Sequence, residues 1–96
     1  MIHFGGYNCQ VQIEKYQSGY NAIRLVDDKD GDTIAIASVN VEGLQPDEVG
    51  IKNYSENEGM YDVLLQQGVI TKSHREVKQG WVTIPVCKLT NDYKIN

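Results

Sequence analysis

The residues best suited to chemistry are six consecutive positions, Asp27-Asp28-Lys29-Asp30-Gly31-Asp32, because carboxylates are the ligands that calcium prefers. A calcium loop of the EF-hand type needs oxygen ligands at positions 1, 3 and 5, glycine at 6 and glutamate at 12. With Gly31 at position 6, Val26 falls at position 1 and Ala37 at position 12. The pattern fails at both ends. We therefore predict a solvated hairpin turn, or an acidic contact surface, and no calcium site.

Two histidines and two cysteines are the remaining candidates for a metal site or for catalysis: His3, His74, Cys9 and Cys87. None of them form a close ligand pair such as C-x₂-C or H-x₃-H. His74 is the one internal base candidate, in a polar stretch typical of a surface. We expect no catalytic residue, no metal and no cofactor. The cysteines are expected to be reduced thiols, although they lie in the first and last predicted strands and a disulfide stays possible.

The bulk composition predicts one acidic domain over residues 1–96, with a net charge of −4. Such a surface repels nucleic acids and anionic membranes and favours basic partners. The basic residues are scattered except for Lys72, His74, Arg75 and Lys78, so we expect no direct nucleic-acid binding. The chain lacks a 20-residue apolar run and a signal-peptide pattern, which predicts a cytoplasmic protein.

Period-two alternation predicts most of the chain to be β-strand. Gly19 and the Asp30-Gly31 pair are turn signals that separate the first three strands. Pro85 argues that the last strand lies at an edge or carries a bulge. The predicted strands are Gln10–Tyr16, Asn21–Val26, Thr33–Val39, Glu48–Lys52 and Trp81–Leu89, with a possible exposed edge at Thr71–Lys78.

One helix is predicted from about Glu56 to Gln67. Ser55 and Glu58 have the spacing of a capping box, in which each side chain bonds the other residue's amide. Met60, Val63 and Leu64 form an inward stripe, and Gly68 suits a Schellman ending with Val69 packing on Leu64. Gly59 is the inconsistent residue, since glycine weakens a helix interior.

These elements give an α+β domain of order ββββ-α-β, with a mainly antiparallel sheet and one helix packed on one face. We place the helix over Ala35 and Ala37, because small side chains let a helix approach closely. Acidic and tyrosine side chains then cluster at two turns, where tyrosines act as anchors or pack at the core edge. The candidate partner-binding residues are Asp27, Asp28, Asp30, Asp32, Tyr54, Glu56, Asn57, Glu58, Tyr61 and Asp62.

The run from Val49 to Met60, with its Tyr-Ser-Glu-Asn-Glu-Gly-Met helix start, resembles a family of small uncharacterised proteins carried by phages and conjugative elements. The resemblance covers roughly Ile34 to Leu89 and includes the Ile84–Leu89 ending. A looser analogy joins the chain to small acidic anti-CRISPR proteins, which present carboxylates in place of phosphates.

The resemblance implies a non-enzymatic mobile-element protein in the bacterial cytoplasm. It would bind a basic surface of a host protein, plausibly a defence nuclease, and inhibit it. Two alternatives remain open. One is a small-ligand or nucleotide-binding module, and the other is a homo-oligomeric structural protein, such as a homodimer formed through an exposed strand edge.

Overall fold

The computed structural model describes residues 2–94, which form two four-stranded antiparallel sheets, one 3-10 turn and one helix. The first sheet has the order β1 (Ile2–Phe4), β2 (Tyr7–Lys15), β3 (Asn21–Asp27) and β4 (Thr33–Ile36). The second has the order β5 (Ser38–Val39), β6 (Glu48–Ile51), β8 (Val82–Lys88) and β7 (Arg75–Gln79). The 3-10 turn is Ser55–Asn57 and helix α1 is Met60–Gln66. The predicted α+β, mainly antiparallel class is confirmed.

The first sheet is a meander whose turns follow local sequence signals. Gly19 donates its amide to the Tyr16 carbonyl at 2.8 Å and closes the β2–β3 turn. The Asp27 amide donates to the Asp32 carbonyl at 2.7 Å, so the aspartate segment is the predicted turn between β3 and β4. Strand β1, which the sequence did not predict, is joined to β2 through Gly5-Gly6.

The predicted strand Thr33–Val39 is divided between the two sheets. Residues 33–36 pair with β3 as β4, and residues 38–39 pair with β6 as β5. Between them, the Ala37 amide donates to the Ile23 carbonyl at 2.8 Å. The Ala37 carbonyl instead accepts from the Lys52 amide at 2.9 Å. One residue therefore bonds to both sheets and makes the passage from one to the other.

The main core fills the space between helix α1 and both sheets. Met60 and Leu64 of the helix belong to one buried cluster with Leu25 of the first sheet and Val49 of the second. Ala37 is part of this cluster, and the partly buried Ala35 packs against it. Helix α1 itself packs mainly against β1, and its placement directly over Ala35 and Ala37 stays a prediction.

A second, smaller core covers part of the second sheet and contains Val41, Leu44, Ile84 and Val86. Gly50 of β6 is required here, because a Cβ at this position would lie 2.8 Å from Val41 Cγ2. All four residues of β6 are buried, as expected for an inner strand.

The predicted start of the helix is wrong. Ser55 has φ 58°, and the Glu58 amide bonds the Ser55 carbonyl at 3.2 Å, which is a 3-10 turn and not a capping box. Gly59 then adopts a left-handed backbone conformation, with φ 92°, and α1 begins only at Met60. Glycine tolerates this left-handed conformation, so the residue that seemed inconsistent is the one that separates the turn from the helix.

The helix ends as predicted. Gly68 has φ 74°, its amide bonds the Leu65 carbonyl at 3.2 Å, and the Val69 amide bonds the Leu64 carbonyl at 3.0 Å. This pair of bonds is the Schellman motif. Within residues 2–94, no helix has the length and apolar character needed to cross a membrane.

The C-terminal strands differ from the prediction in one respect. Strand β7 is an edge strand, as expected for the Thr71–Lys78 segment, but β8 is an inner strand between β6 and β7. Its pairing with β6 stops at Gly50↔Val86, one residue before Pro85. The missing N–H of Pro85 is tolerated because β8 has lost one of its two neighbours at that point.

Gly59→Ala tests the position of the helix start. We expect it to lower the free energy of unfolding by about 1 kcal/mol, because an alanine side chain disfavours the left-handed region. Space is not limiting, since nothing lies within 4 Å of the added Cβ. Chemical denaturation would measure the change. If Gly59 were inside a helix, the same substitution would stabilise the protein by about 1 kcal/mol. Gly59→Asn is the control and should cost less, since asparagine tolerates the left-handed region better than alanine does.

Candidate protein-binding surface

A surface groove of about 440 Å³ lies where the two edges of the first sheet come near each other. Its walls are Phe4 and Tyr7 from the first hairpin and the whole of β4, residues 33–36. Lys52, Glu56 and Asn57 close the side next to the 3-10 turn. Tyr7 is 48% exposed and Ile36 is 44% exposed, so large apolar side chains are presented to solvent. We call this the apolar groove.

A second concavity of about 270 Å³ adjoins the apolar groove at Tyr7, which lines both. Its other lining residues include Asn8, Asp27, Asp28 and Lys29. We call it the acidic groove. Tyr7 therefore lines both the concavity beside the 3-10 turn and the concavity beside the aspartate turn, although these turns are far apart in sequence. Neither Phe4 nor Tyr7 was among the predicted site residues.

The aspartate turn is held in shape by its own carboxylates. Asp27 accepts the Lys29 amide and Asp30 accepts the Asp32 amide, each at 3.0 Å. Asp28 accepts a bond of 2.6 Å from the Gln10 side chain, and its amide donates to the Asn8 carbonyl at 2.9 Å. The turn thus presents its negative charges from a fixed position beside β2, with Asp28, Asp30 and Asp32 exposed.

The 3-10 turn presents Glu56 beside a lysine. Lys52 Nζ lies 2.5 Å from Glu56 Oε1. This bond lowers the pKa of Glu56 and raises the pKa of Lys52 from their ordinary values. The Lys52 ammonium also lies 5.7 Å from the centre of the half-buried Tyr54 ring, which is within cation–π range. Glu58 and Asp62 are exposed on the same segment.

Two predicted contact residues have structural roles. Asn57 is 2% exposed and donates from Nδ2 to the Ile36 carbonyl at 2.7 Å. It therefore ties the 3-10 turn to β4 and does not belong to an exposed contact surface. Tyr61 packs against the main core, and its hydroxyl accepts the Ser73 amide at 2.9 Å. Tyr61 is a core-edge residue, so replacing it would disturb the fold as well as any binding.

A buried carboxylate that the sequence analysis missed lies in the second sheet. The Glu48 side chain is 4% exposed, and its oxygens face Arg75 at 2.7 and 3.2 Å. His74 Nε2 lies 2.5 Å from Glu48 Oε2, and the Gln45 amide donates to Oε1 at 2.8 Å. The bond from Arg75 is the main reason that the pKa of Glu48 falls to about 2. Glu48 thus fixes the edge strand β7 to the loop before β6.

This cluster neutralises part of the basic segment noted in the sequence. Arg75 forms an ion pair with Glu48, and His74 lies against the same carboxylate. The Ser73 hydroxyl donates to the Arg75 carbonyl at 2.9 Å and does not face His74. The arrangement is an ion cluster that stabilises the fold, and it lacks the serine–histidine contact of a nucleophilic site. The clustering of basic residues around His74 and Arg75 was the one sequence signal that a buried carboxylate, here Glu48, would lie beside them.

Cys9 lies in β2 of the first sheet and Cys87 in β8 of the second, and these two strands do not pair. Both are buried free thiols. Burial raises the pKa of Cys87 to about 12, and burial together with the charge of Asp27 raises the pKa of Cys9. Thiols held protonated in this way are unreactive. Across residues 2–94, no group of three His, Cys, Asp or Glu side chains converges as a metal site.

Trp81 is the largest exposed apolar side chain in the described part of the chain. It is fully exposed at the tip of the β7–β8 hairpin, where Gly80-Trp81 form the two-residue turn. Gly80 has φ 63°, which suits the first central position of such a turn. The sequence analysis placed Trp81 at the start of the last strand, and the glycine before it was the signal for a turn.

Comparison with known proteins does not identify a family or a function for this chain. A scan against protein-family models, a search of curated proteins and a search of solved structures each found no match. The resemblance to small proteins of phages and conjugative elements therefore stays a hypothesis.

The Glu48 cluster predicts a loss of stability in acid. The unfolded chain takes up this proton near pH 4.5, and the folded chain takes it up only near pH 2. The stabilisation is therefore fully present above pH 4.5 and is lost as the pH falls from 4.5 towards 2. It amounts to about 3 kcal/mol, since each tenfold change in proton affinity is worth about 1.4 kcal/mol.

Urea denaturation across this pH range would measure the effect. Glu48→Gln should lower stability at neutral pH and flatten the decline between pH 4.5 and 2. Glu76→Gln, which removes the same charge from an exposed position on β7, is the matched control and should keep the decline of the parent protein. An unchanged decline in Glu48→Gln would contradict the role of this carboxylate.

Proposed function

We propose that this protein is a non-enzymatic binding protein of a mobile genetic element, acting in the bacterial cytoplasm. It engages a basic surface of a host protein, a defence nuclease being the favoured class, and inhibits it by occupying that surface. The observation that carries the proposal is the shared wall of the two grooves. Tyr7 joins an exposed apolar surface to a turn that carries four aspartates.

The charge of the chain supports a basic partner. The net charge is −4, and the aspartate turn has four carboxylates against one lysine. Asp28, Asp30 and Asp32 are exposed on the aspartate turn, while Glu56 and Glu58 are exposed at the 3-10 turn. A surface of this kind attracts a cationic protein and speeds their encounter, and exposed apolar side chains add affinity once contact is made.

A small-ligand module is the second candidate, because a volume of 440 Å³ is within the usual range for ligand sites. Ligand pockets also enclose their ligand and aim a few buried polar groups at it. The polar walls here are the ion pair of the half-buried Lys52 with the exposed Glu56, and Asn57, whose side-chain amide already donates to the Ile36 carbonyl. Native mass spectrometry that shows a co-purifying small molecule would favour this candidate over protein binding.

Self-association through strand edges is opposed by the form of each edge. Strands β1 and β5 have three and two residues, and β7 carries Arg75, Glu76 and Lys78. Strand β4 has a register shift opposite Leu25/Val26, and its Ile36 carbonyl is occupied by Asn57. Short, charged, bulged or covered edges resist pairing with another chain. The geometry therefore favours a side-chain surface over a strand edge.

The test of the proposal is capture of a partner from bacterial lysate by the immobilised chain, followed by binding kinetics with the purified partner. We expect the partner to be a basic protein and its affinity to fall as salt rises from about 0.05 to 0.3 M, since exposed charges are screened over about 10 Å at 0.1 M. If the partner is a nuclease, its activity should fall as the complex forms.

Charge variants locate the surface. Asp32→Asn and Glu58→Gln, singly and together, should slow association several-fold, because exposed charges act mainly on the encounter rate. Glu76→Gln removes one charge from the far edge of the second sheet and should leave the rate unchanged. A partner whose binding ignores salt and both acidic-surface variants would contradict the proposal.

A further inference from the structure

The apolar groove contains two of the three large apolar side chains that are exposed in residues 2–94, namely Tyr7 and Ile36. Phe4, also in the groove, is only partly buried. Burial of such side chains is favourable in proportion to the area removed from water. The groove therefore favours an occupant with an apolar side chain.

The occupant cannot readily be an added β-strand. Strand β4 forms the long wall of the groove and is an edge of the first sheet, but its regular pairing is interrupted by a register shift. At Ile36, the carbonyl oxygen already accepts the Asn57 amide at 2.7 Å. An extended partner segment would lack a regular ladder here, which leaves insertion of a side chain as the mode of contact.

The charges around Tyr7 decide which segment would carry that side chain. The acidic groove shares Tyr7 with the apolar groove and has Asp27, Asp28 and Lys29 in its wall. The positive charge of Lys52 on the opposite flank is paired with Glu56 at 2.5 Å. A residue that enters the apolar groove thus places its chain neighbour near a wall of two aspartates and one lysine, which carries a net negative charge. Cationic neighbours are favoured and anionic neighbours are disfavoured.

We propose that the apolar groove receives an apolar side chain from a partner protein, with a lysine or arginine next to it that meets Asp27 and Asp28. This inference rests on the proposed function and specifies the contact that the partner makes. Tyr7 is the central residue, because it lines both grooves. Recognition then requires both parts of the segment, since one part occupies the apolar groove and the other meets the acidic groove.

Capped tripeptides test the contact on the full chain without a known partner. We expect Lys-Leu-Lys to cause saturable NMR shifts at Tyr7, Ile34 and Ile36, and to bind about tenfold tighter than Lys-Ser-Lys, as burial of one leucine side chain implies. Glu-Leu-Glu should bind at least as weakly as Lys-Ser-Lys. Equal shifts from the three peptides, or shifts confined to other residues, would overturn the proposal.

Matched variants remove the remaining ambiguity. Ile36→Ser should abolish the preference for leucine, whereas Trp81→Ser, which removes the exposed large apolar side chain that lies outside the groove, should leave it intact. If shifts at the groove depend on protein concentration and vanish in Trp81→Ser, the occupant is the hairpin of a second copy and the proposal is wrong. If Ile36→Ser binds the captured partner normally while Asp32→Asn does not, the groove contact fails and the acidic-surface function stands.

Discussion

The two sheets are held together by a junction at Ala37 and Ser38, and the other elements depend on it. The Ile23 carbonyl accepts the Ala37 amide at 2.8 Å, and the Ile23 amide donates to the Ser38 hydroxyl oxygen at 2.9 Å. The Ser38 and Tyr16 hydroxyls share a further bond of 2.8 Å. Ser38 is 2% exposed, so its hydroxyl replaces a backbone partner that would otherwise be missing. At this point the chain leaves β3 and pairs with β6.

A second connection places the start of β6 against the first sheet. Asn21, at the beginning of β3, donates from Nδ2 to the carbonyls of Pro46 and Glu48, each at 2.9 Å. Lys15 Nζ donates to the Asn21 Oδ1 at 2.7 Å, so the amide group of Asn21 is bonded through both atoms. At the start of β6, the Glu48 carboxylate binds Arg75 and His74 of the C-terminal segment. Buried polar groups, each with a partner, thus fix how the sheets are arranged around helix α1.

The sequence predicted the features that depend on neighbouring residues. Gly19, Gly31 and Gly68 marked two turns and a helix end, because each needs only a local backbone conformation. The division of the predicted strand Thr33–Val39 at Ala37 was not predictable. Its alternating pattern does not indicate which strand residues 33–36 or residues 38–39 will pair with. The capping box failed for a similar reason. Asn57 bonds a carbonyl 21 residues away, and Gly59 lets the chain reverse before the helix begins.

The aspartates were recognised as a surface turn because their sequence is itself a turn signal, whereas the grooves are products of the tertiary structure. Phe4 and Tyr7 come from the first hairpin, while Ile36 and Lys52 come from two other segments, and none is unusual in its own stretch of sequence. Their meeting follows from the junction. Ile36 is the last residue of β4 before the chain crosses at Ala37, and Asn57 holds its carbonyl. The 3-10 turn is therefore fixed against the end of β4, with Lys52 and Glu56 beside it. The junction at Ala37 thus sets where β4 ends, and the Asn57 bond to that end brings the 3-10 turn to the wall of the candidate site.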